Sequence, residues 1–210
     1  MKKLLVFGDS WPFGSELENY QQDCFPALME EILKIPVENN SLPGTSIDHM
    51  VHKFLDLVKK DQLAECGILF CLTGISRSMI FKGNTLKEIH PSRNDIESET
   101  YYAYIFSWEL AEFNFLKNCL LVQYICKTLK IPLYFVTNWY DVPESPLLDK
   151  SNFYSKSLIE IFGIDSMKTK FDYFWSSVEK NEYFYPNKYH PNEKGHRLIA
   201  KELSEWINSR

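Results

Sequence analysis

Two hydrophobic patterns alternate along this chain. Short apolar runs, bounded by Gly, Pro, Asn or Asp, sit between longer segments whose apolar residues recur every three or four positions. The runs at 3–7, 36–40, 67–72 and 131–137 predict strands, and their nearly continuous apolar character is that of strands buried on both faces of a parallel sheet. Segment 24–34 places Phe25, Leu28, Met29, Ile32 and Leu33 at helical spacing, and 47–58 does the same with Ile47, Met50, Val51, Phe54, Leu55 and Val58. Both predict helices that cover a sheet. The aromatic-rich stretch 96–130 predicts helix in two pieces, with no capping residue marking the break and Pro132 closing it. Segments 153–162 and 167–178 predict further helices. The last helix, 192–208, carries Leu198, Ile199, Leu203, Trp206 and Ile207 on one face, with Asn192 as its N-cap. Strand and helix in alternation predict the α/β class: one three-layer α/β/α domain over residues 1–210, with a flavodoxin-like parallel sheet of four or five strands. No repeat, low-complexity tract or linker divides it.

Composition narrows the class. A 210-residue chain with 45% hydrophobic and 24% charged residues has enough apolar material for a core, and at this length roughly 70% of the unfolded surface is buried on folding. The net charge of −5 argues against nucleic acid or an anionic membrane as partner. Met1-Lys2-Lys3 is followed by an apolar run that breaks at Gly8-Asp9, too short for a secretory signal, and no window is long enough for a membrane span. Five cysteines, Cys24, Cys66, Cys71, Cys119 and Cys126, lie in apolar surroundings without metal-like spacing, so reduced core thiols and a cytoplasmic location are expected.

The candidate chemistry lies at the two ends of the chain. Gly8-Asp9-Ser10 follows the first strand, and His190-Pro191-Asn192-Glu193-Lys194-Gly195-His196 opens the last helix. In a parallel α/β sheet these positions converge on one edge, where a hydroxyl and an imidazole can act as nucleophile and base. Gly44 follows the second strand, where a missing Cβ lets a backbone N–H approach a ligand. Gly74, Ser76 and Arg77 follow the third. Trp11 and Phe13 follow Ser10, and Trp139 and Tyr140 follow the fourth strand, so these rings lie where ligands bind in open sheets. His49 and His52 share a helix face but lack a third metal ligand at a known spacing, and no glycine-rich phosphate loop is present.

These blocks resemble, over the whole chain, those of the SGNH, or GDSL, hydrolase superfamily of α/β/α esterases, lipases, thioesterases and carbohydrate deacetylases. The resemblance implies Ser10 as nucleophile and His190 as base, with the backbone N–H groups of Ser10 and Gly44 in an oxyanion hole. Ser76 stands where the family has its asparagine donor, and Asn187 stands where it has the aspartate that orients the histidine. Asp141, Asp172 or Glu182, a backbone carbonyl or a water are other groups able to orient His190, and His196 is expected to pack or cap. Asp9, Trp11, Arg77 and Trp139 are expected to contact substrate. The implied activity is hydrolysis of a small acyl ester, of a carbohydrate or another polar alcohol, with no metal or organic cofactor and a small-molecule ester as partner. The substitutions at 76 and 187 leave a second reading open, a weakly active or inactive binding protein on the same fold. A flavodoxin-like cofactor module is a third.

Overall fold

A computed structural model of the chain describes residues 1–139, 142, 144–165, 178, 180–186 and 188–210. In chain order its elements are β1 (Lys3–Phe7), α1 (Ser10–Phe13), α2 (Tyr20–Asp23), α3 (Phe25–Leu33), β2 (Val37–Asn39), α4 (Ile47–Lys59), β3 (Cys66–Leu72), β4 (Ser78–Lys82), β5 (Thr85–Ile89), α5 (Ile96–Tyr104), α6 (Trp108–Leu129), β6 (Leu133–Thr137), α7 (Leu158–Ile161) and α8 (Glu193–Asn208). The sheet runs β2-β1-β3-β6, with every pairing parallel. Successive strand residues point to opposite layers. Leu4, Val6, Leu69 and Cys71 pack with Phe25 and Met29 of α3 and Ile199, Leu203 and Ile207 of α8. Leu5, Phe7, Ile68 and Phe70 pack with Met50 and Phe54 of α4 and Phe115, Cys119 and Val122 of α6. The result is the α/β/α sandwich that the apolar runs predict. No helix among the described residues is long and apolar enough to cross a membrane.

Several boundaries differ from the sequence reading. The break in 96–130 does have a cap: Ser107 accepts from the Leu110 N–H and starts α6, as Asp95 does for α5 through the Ser98 N–H. The predicted helix at 153–162 shrinks to α7, because Phe153 instead forms an isolated parallel bridge with Phe135 at the sheet edge. Most of the predicted helix at 167–178 lies outside the described residues. An antiparallel hairpin, β4–β5, was not anticipated; its half-exposed strands lack the continuous apolar signature of the core strands.

Both faces of β1 and β3 are apolar, so a one-residue slip would swap layers without exposing a polar group. Alternation therefore does not set their register, and polar groups at the strand ends do. The side chain of Asp9, just past β1, is fully buried. Its Oδ1 accepts from the Trp11 N–H at 3.1 Å, capping α1. Its Oδ2 accepts from Thr73 Oγ1 at 2.6 Å and Arg77 Nη1 at 3.1 Å, both past β3. Asn138 Nδ2, past β6, lies 3.2–3.3 Å from both oxygens. One carboxylate thus gathers the C-terminal ends of three strands.

The two ends of the chain are joined in the other layer. His196 of α8 accepts, through Nδ1, from the N–H of Phe25, the first residue of α3, at 3.1 Å. The Cys24 side chain makes no cap there, so a histidine from the last helix caps the third. This interaction requires the neutral ring with its proton on Nε2. Burial, with a smaller contribution from His190, holds His196 down at about 3.

Two predictions follow from these contacts. Asp9→Ala should lower unfolding free energy in denaturant titrations by about 3–5 kcal/mol, since it strands a buried guanidinium; a loss below about 1 kcal/mol would contradict the hub. For His196, the unfolded chain binds the proton first as pH falls, so stability is fully present above about 6.5 and declines below it on the order of 1 kcal/mol per pH unit. His196→Leu should flatten that decline and lower stability at neutral pH by about 1–3 kcal/mol for the unmet Phe25 N–H.

Candidate active site

In the order β2-β1-β3 the segments that follow β1 and β3 run to opposite faces of the sheet, which opens a crevice at the C-terminal ends of these strands. The loops after β1, β2, β3 and β6 meet there. Gly8 permits the turn out of β1: a Cβ would lie 2.3 Å from Pro12 Cγ and 3.0 Å from Cys71 Cβ. Asp9 then caps α1 and Ser10, half-buried, is the first residue of that helix. The loop after β2 is tied to the same turn. Leu42 N–H donates to the Gly8 carbonyl at 3.0 Å, and Asn39 Nδ2 donates to the Pro12 carbonyl at 2.6 Å. Gly44 follows with φ +72°, a left-handed conformation that favours glycine. Among the described residues, the N–H groups of Ser10 and Gly44 make no hydrogen bond within the protein.

The hairpin missed in the sequence buttresses the Gly44 loop. Glu88 of β5 accepts from Thr45 Oγ1 at 3.1 Å and from the Ser46 N–H at 3.0 Å, and it pairs with His49 Nδ1. His52 turns instead towards Asp56, so the two histidines do not share a ligand position. Arg77 donates to the Thr45 carbonyl as well as to Asp9, and only 12% of its side chain is exposed. Its charge serves the Gly44 loop from behind. Burial, then Arg77 and Arg93, hold the nearby His90 at about 4, so its ring is neutral near pH 7. Ser76 is half-buried and its carbonyl accepts from Tyr102 Oη at 2.7 Å. Gly74 lies beside Trp139, whose ring would be in van der Waals contact, at 3.4 Å, with a Cβ at that position.

The histidine block reaches this crevice from the other end of the chain. Asn192 caps α8 through the Gly195 N–H and clamps the preceding turn by donating to the Glu182 and Phe184 carbonyls at 2.8 and 3.1 Å. Phe184 packs on Trp11 at 5.7 Å between ring centroids. The His190 ring is 23% exposed, with Nδ1 3.4 Å from Glu16 Oε1. That Nδ1 is buried and makes no hydrogen bond of normal geometry. Among the described residues no hydrogen bond joins the ring to Ser10 Oγ.

Two expected substrate contacts are corrected. Asp9 is fully buried with both oxygens occupied, and Trp11 is 2% exposed among Trp139, Phe162 and Phe184, so neither presents a surface to a ligand. They build the floor instead. Glu182 pairs with Lys194 at 3.0 Å, and both side chains are exposed. Asn187, Tyr140, Asp141 and Asp172 lie outside the described residues. Sequence reading missed Glu88, Asn138 and Glu16; the position of Asn138 after a predicted strand was the available signal for it, and for the two glutamates there was none.

A hollow of about 310 Å³ lies beside α1, lined by Phe13, Tyr20, Cys24, Val37, Asn39 and Ser41. A larger one, about 380 Å³, sits at the N-terminal ends of β1, β3 and β6 around Met1, Glu65, Cys66 and Pro132, and none of the candidate site residues lines it.

No protein-family model matches the chain, and no curated protein sequence matches it. Solved structures do. A protein of the G-D-S-L lipolytic family from Desulfitobacterium hafniense DCB-2 superposes with a TM-score of 0.56 at 13% identity, over 98% of this chain and 99% of that one. The psychrotrophic esterase EstA from a Pseudoalteromonas species, in a structure inhibited by monoethylphosphonate, gives 0.55 at 13% identity over 100% and 98%. The acetyl xylan esterase AlAXEase gives 0.53 at 15% identity over 98% and 99%. The α/β/α fold of this chain, from its first strand to its last helix, is the fold of the SGNH, or GDSL, hydrolases.

Proposed function

We propose that the protein is a serine esterase that hydrolyses a small acyl ester through an acyl-enzyme on Ser10. The observation that carries this reading is the convergence of the two terminal blocks: the turn that holds Ser10 and the turn that holds His190 pack on each other through Trp11, Phe184 and Glu16. A serine hydroxyl is a weak nucleophile at neutral pH and needs a base within reach. In this mechanism Ser10 Oγ attacks the ester carbonyl carbon while its proton passes to His190 Nε2. The carbonyl oxygen becomes an oxyanion held by the N–H groups of Ser10 and Gly44, both without another partner among the described residues, with Ser76 Oγ as a third donor. The protonated ring returns its proton to the leaving alcohol. Water, deprotonated by the same ring, then releases the acid and restores Ser10.

The loop geometry supports these roles. Preorganised donors act without reorganisation in the transition state, and Glu88 and Arg77 hold the Gly44 loop in place from two sides. Arg77 also sets a positive charge behind the loop. Trp139, half-buried beside Gly74, would form one wall for the substrate, and an aromatic wall suits a sugar ring or another polar alcohol with an apolar face. The acetyl xylan esterase among the similar structures supports a carbohydrate ester as the substrate class. Five buried, unpaired cysteines support a reducing compartment such as the cytoplasm.

A fluorophosphonate should label Ser10, and the protein should cleave p-nitrophenyl acetate; Ser10→Ala should abolish both while leaving the melting temperature unchanged. A folded protein with neither reaction would instead be a binding protein on this fold, as the substitutions at 76 and 187 allow. Ser76→Ala should lower kcat by about 10–100-fold in the same assay, near the range for losing one oxyanion donor. An unchanged kcat would remove Ser76 from the oxyanion hole.

A further inference from the structure

The esterase reading leaves His190 without the acid that orients it, because position 187, where the related hydrolases carry aspartate, is asparagine. We infer that Glu16, from the loop after the nucleophile, supplies the carboxylate that positions His190; this rests on the esterase reading above. Three observations converge on it. Glu16 Oε1 lies 3.4 Å from His190 Nδ1, the ring nitrogen that must face an acceptor if Nε2 is to serve Ser10. That Nδ1 is buried and makes no hydrogen bond among the described residues, so it is a polar atom in need of a partner. Glu16 also holds φ +77°, a left-handed conformation uncommon for a residue with a side chain. Outliers of this kind persist where the surroundings enforce them.

The electrostatic surroundings suit the role. Lys188 Nζ, on the same turn as the histidine, lies 4.0 Å from Glu16 Oε2, at ion-pair distance. Tyr185 Oη bonds Glu193 rather than competing for Glu16, and burial, then Glu193, with smaller contributions from Glu18 and Glu16, keep that phenol protonated. His196 in α8 is held neutral by burial, with a smaller contribution from His190, and its Nδ1 is engaged by the Phe25 N–H. During reaction the Ser10 proton moves to Nε2, and the resulting imidazolium donates its Nδ1–H to Glu16, which stays ionised. Glu16 is therefore a positioning residue that acts through His190. The acid is delivered from the N-terminal loop rather than from the histidine's own turn. Closing the 3.4 Å approach to a normal hydrogen bond requires a rotation of the Glu16 side chain, which is 28% exposed.

The test measures kcat/KM for p-nitrophenyl acetate from about pH 5 to about pH 9 in the wild type, Glu16→Gln and Glu16→Asp, with fluorophosphonate labelling of Ser10 alongside. Glu16→Gln should lose about 10²-fold, less than the loss of about 10⁴ for a fully buried triad acid in a well-studied protease, and should fold normally. Its acid limb should move to lower pH by about half a unit to one unit, because an anion beside the ring favours the imidazolium. Glu16→Asp keeps the charge and should leave that limb in place. An unchanged rate in Glu16→Gln overturns the inference while the esterase reading stands. So does a slower rate with the acid limb unmoved, which is how a structural residue would behave. A wild type that is neither labelled nor active removes the esterase reading and this inference together.

Discussion

The Asp9 carboxylate is the interaction on which the rest of the structure depends. It carries no surface, yet it joins α1, the segment after β3 and the segment after β6 through the Trp11 N–H, Thr73, Arg77 and Asn138. Burying a charge is tolerated only when it is paired and hydrogen-bonded, and here both conditions are met. Strands that are apolar on both faces carry little information about register, so this polar junction supplies it. It also decides where Ser10 stands, since the same carboxylate caps the helix that Ser10 begins.

From that junction the other loops are placed in turn. Arg77 reaches from Asp9 to the Thr45 carbonyl, and Glu88 holds Thr45, Ser46 and His49, so the conformation of Gly44 is tied back to the centre of the sheet. The small β4–β5 hairpin is thereby more than an excursion; it is the brace of the oxyanion loop. On the other face, the His196 cap on α3 and the Asn192 clamp on residues 182–184 bring the last helix and its leading turn against α1. The meeting of the chain's two ends is thus fixed by hydrogen bonds, the His196 cap among them buried, and the distance between Glu16 and His190 is a consequence of it.

Much of the fold was legible in the sequence because core strands buried on both faces leave continuous apolar runs; β1, β3 and β6 are found within two residues of their predicted ends. The hairpin was not, since a strand such as Ser78–Lys82 is half-exposed and reads like loop. Ser107 was hidden as a cap by the apolar residues on both sides of it. The Gly-Asp-Ser motif located the site but concealed the role of its own aspartate, because a motif records which residues coincide and not which way each side chain turns. Trp11 misled for the same reason: its place after a strand suggested a ligand contact, whereas its ring completes the core. Glu16 and Glu88 had no local signal at all, as their partners come from distant turns.

The central claim is that Ser10, Gly44 and His190 form one working constellation. A crystal structure of the protein after reaction with an alkylphosphonate tests it most directly. The account predicts a bond from Ser10 Oγ to phosphorus, the phosphoryl oxygen within about 3.1 Å of both the Ser10 and Gly44 nitrogens, and His190 Nε2 facing the adduct. An unmodified Ser10, or a phosphoryl oxygen turned away from those two N–H groups, would contradict it.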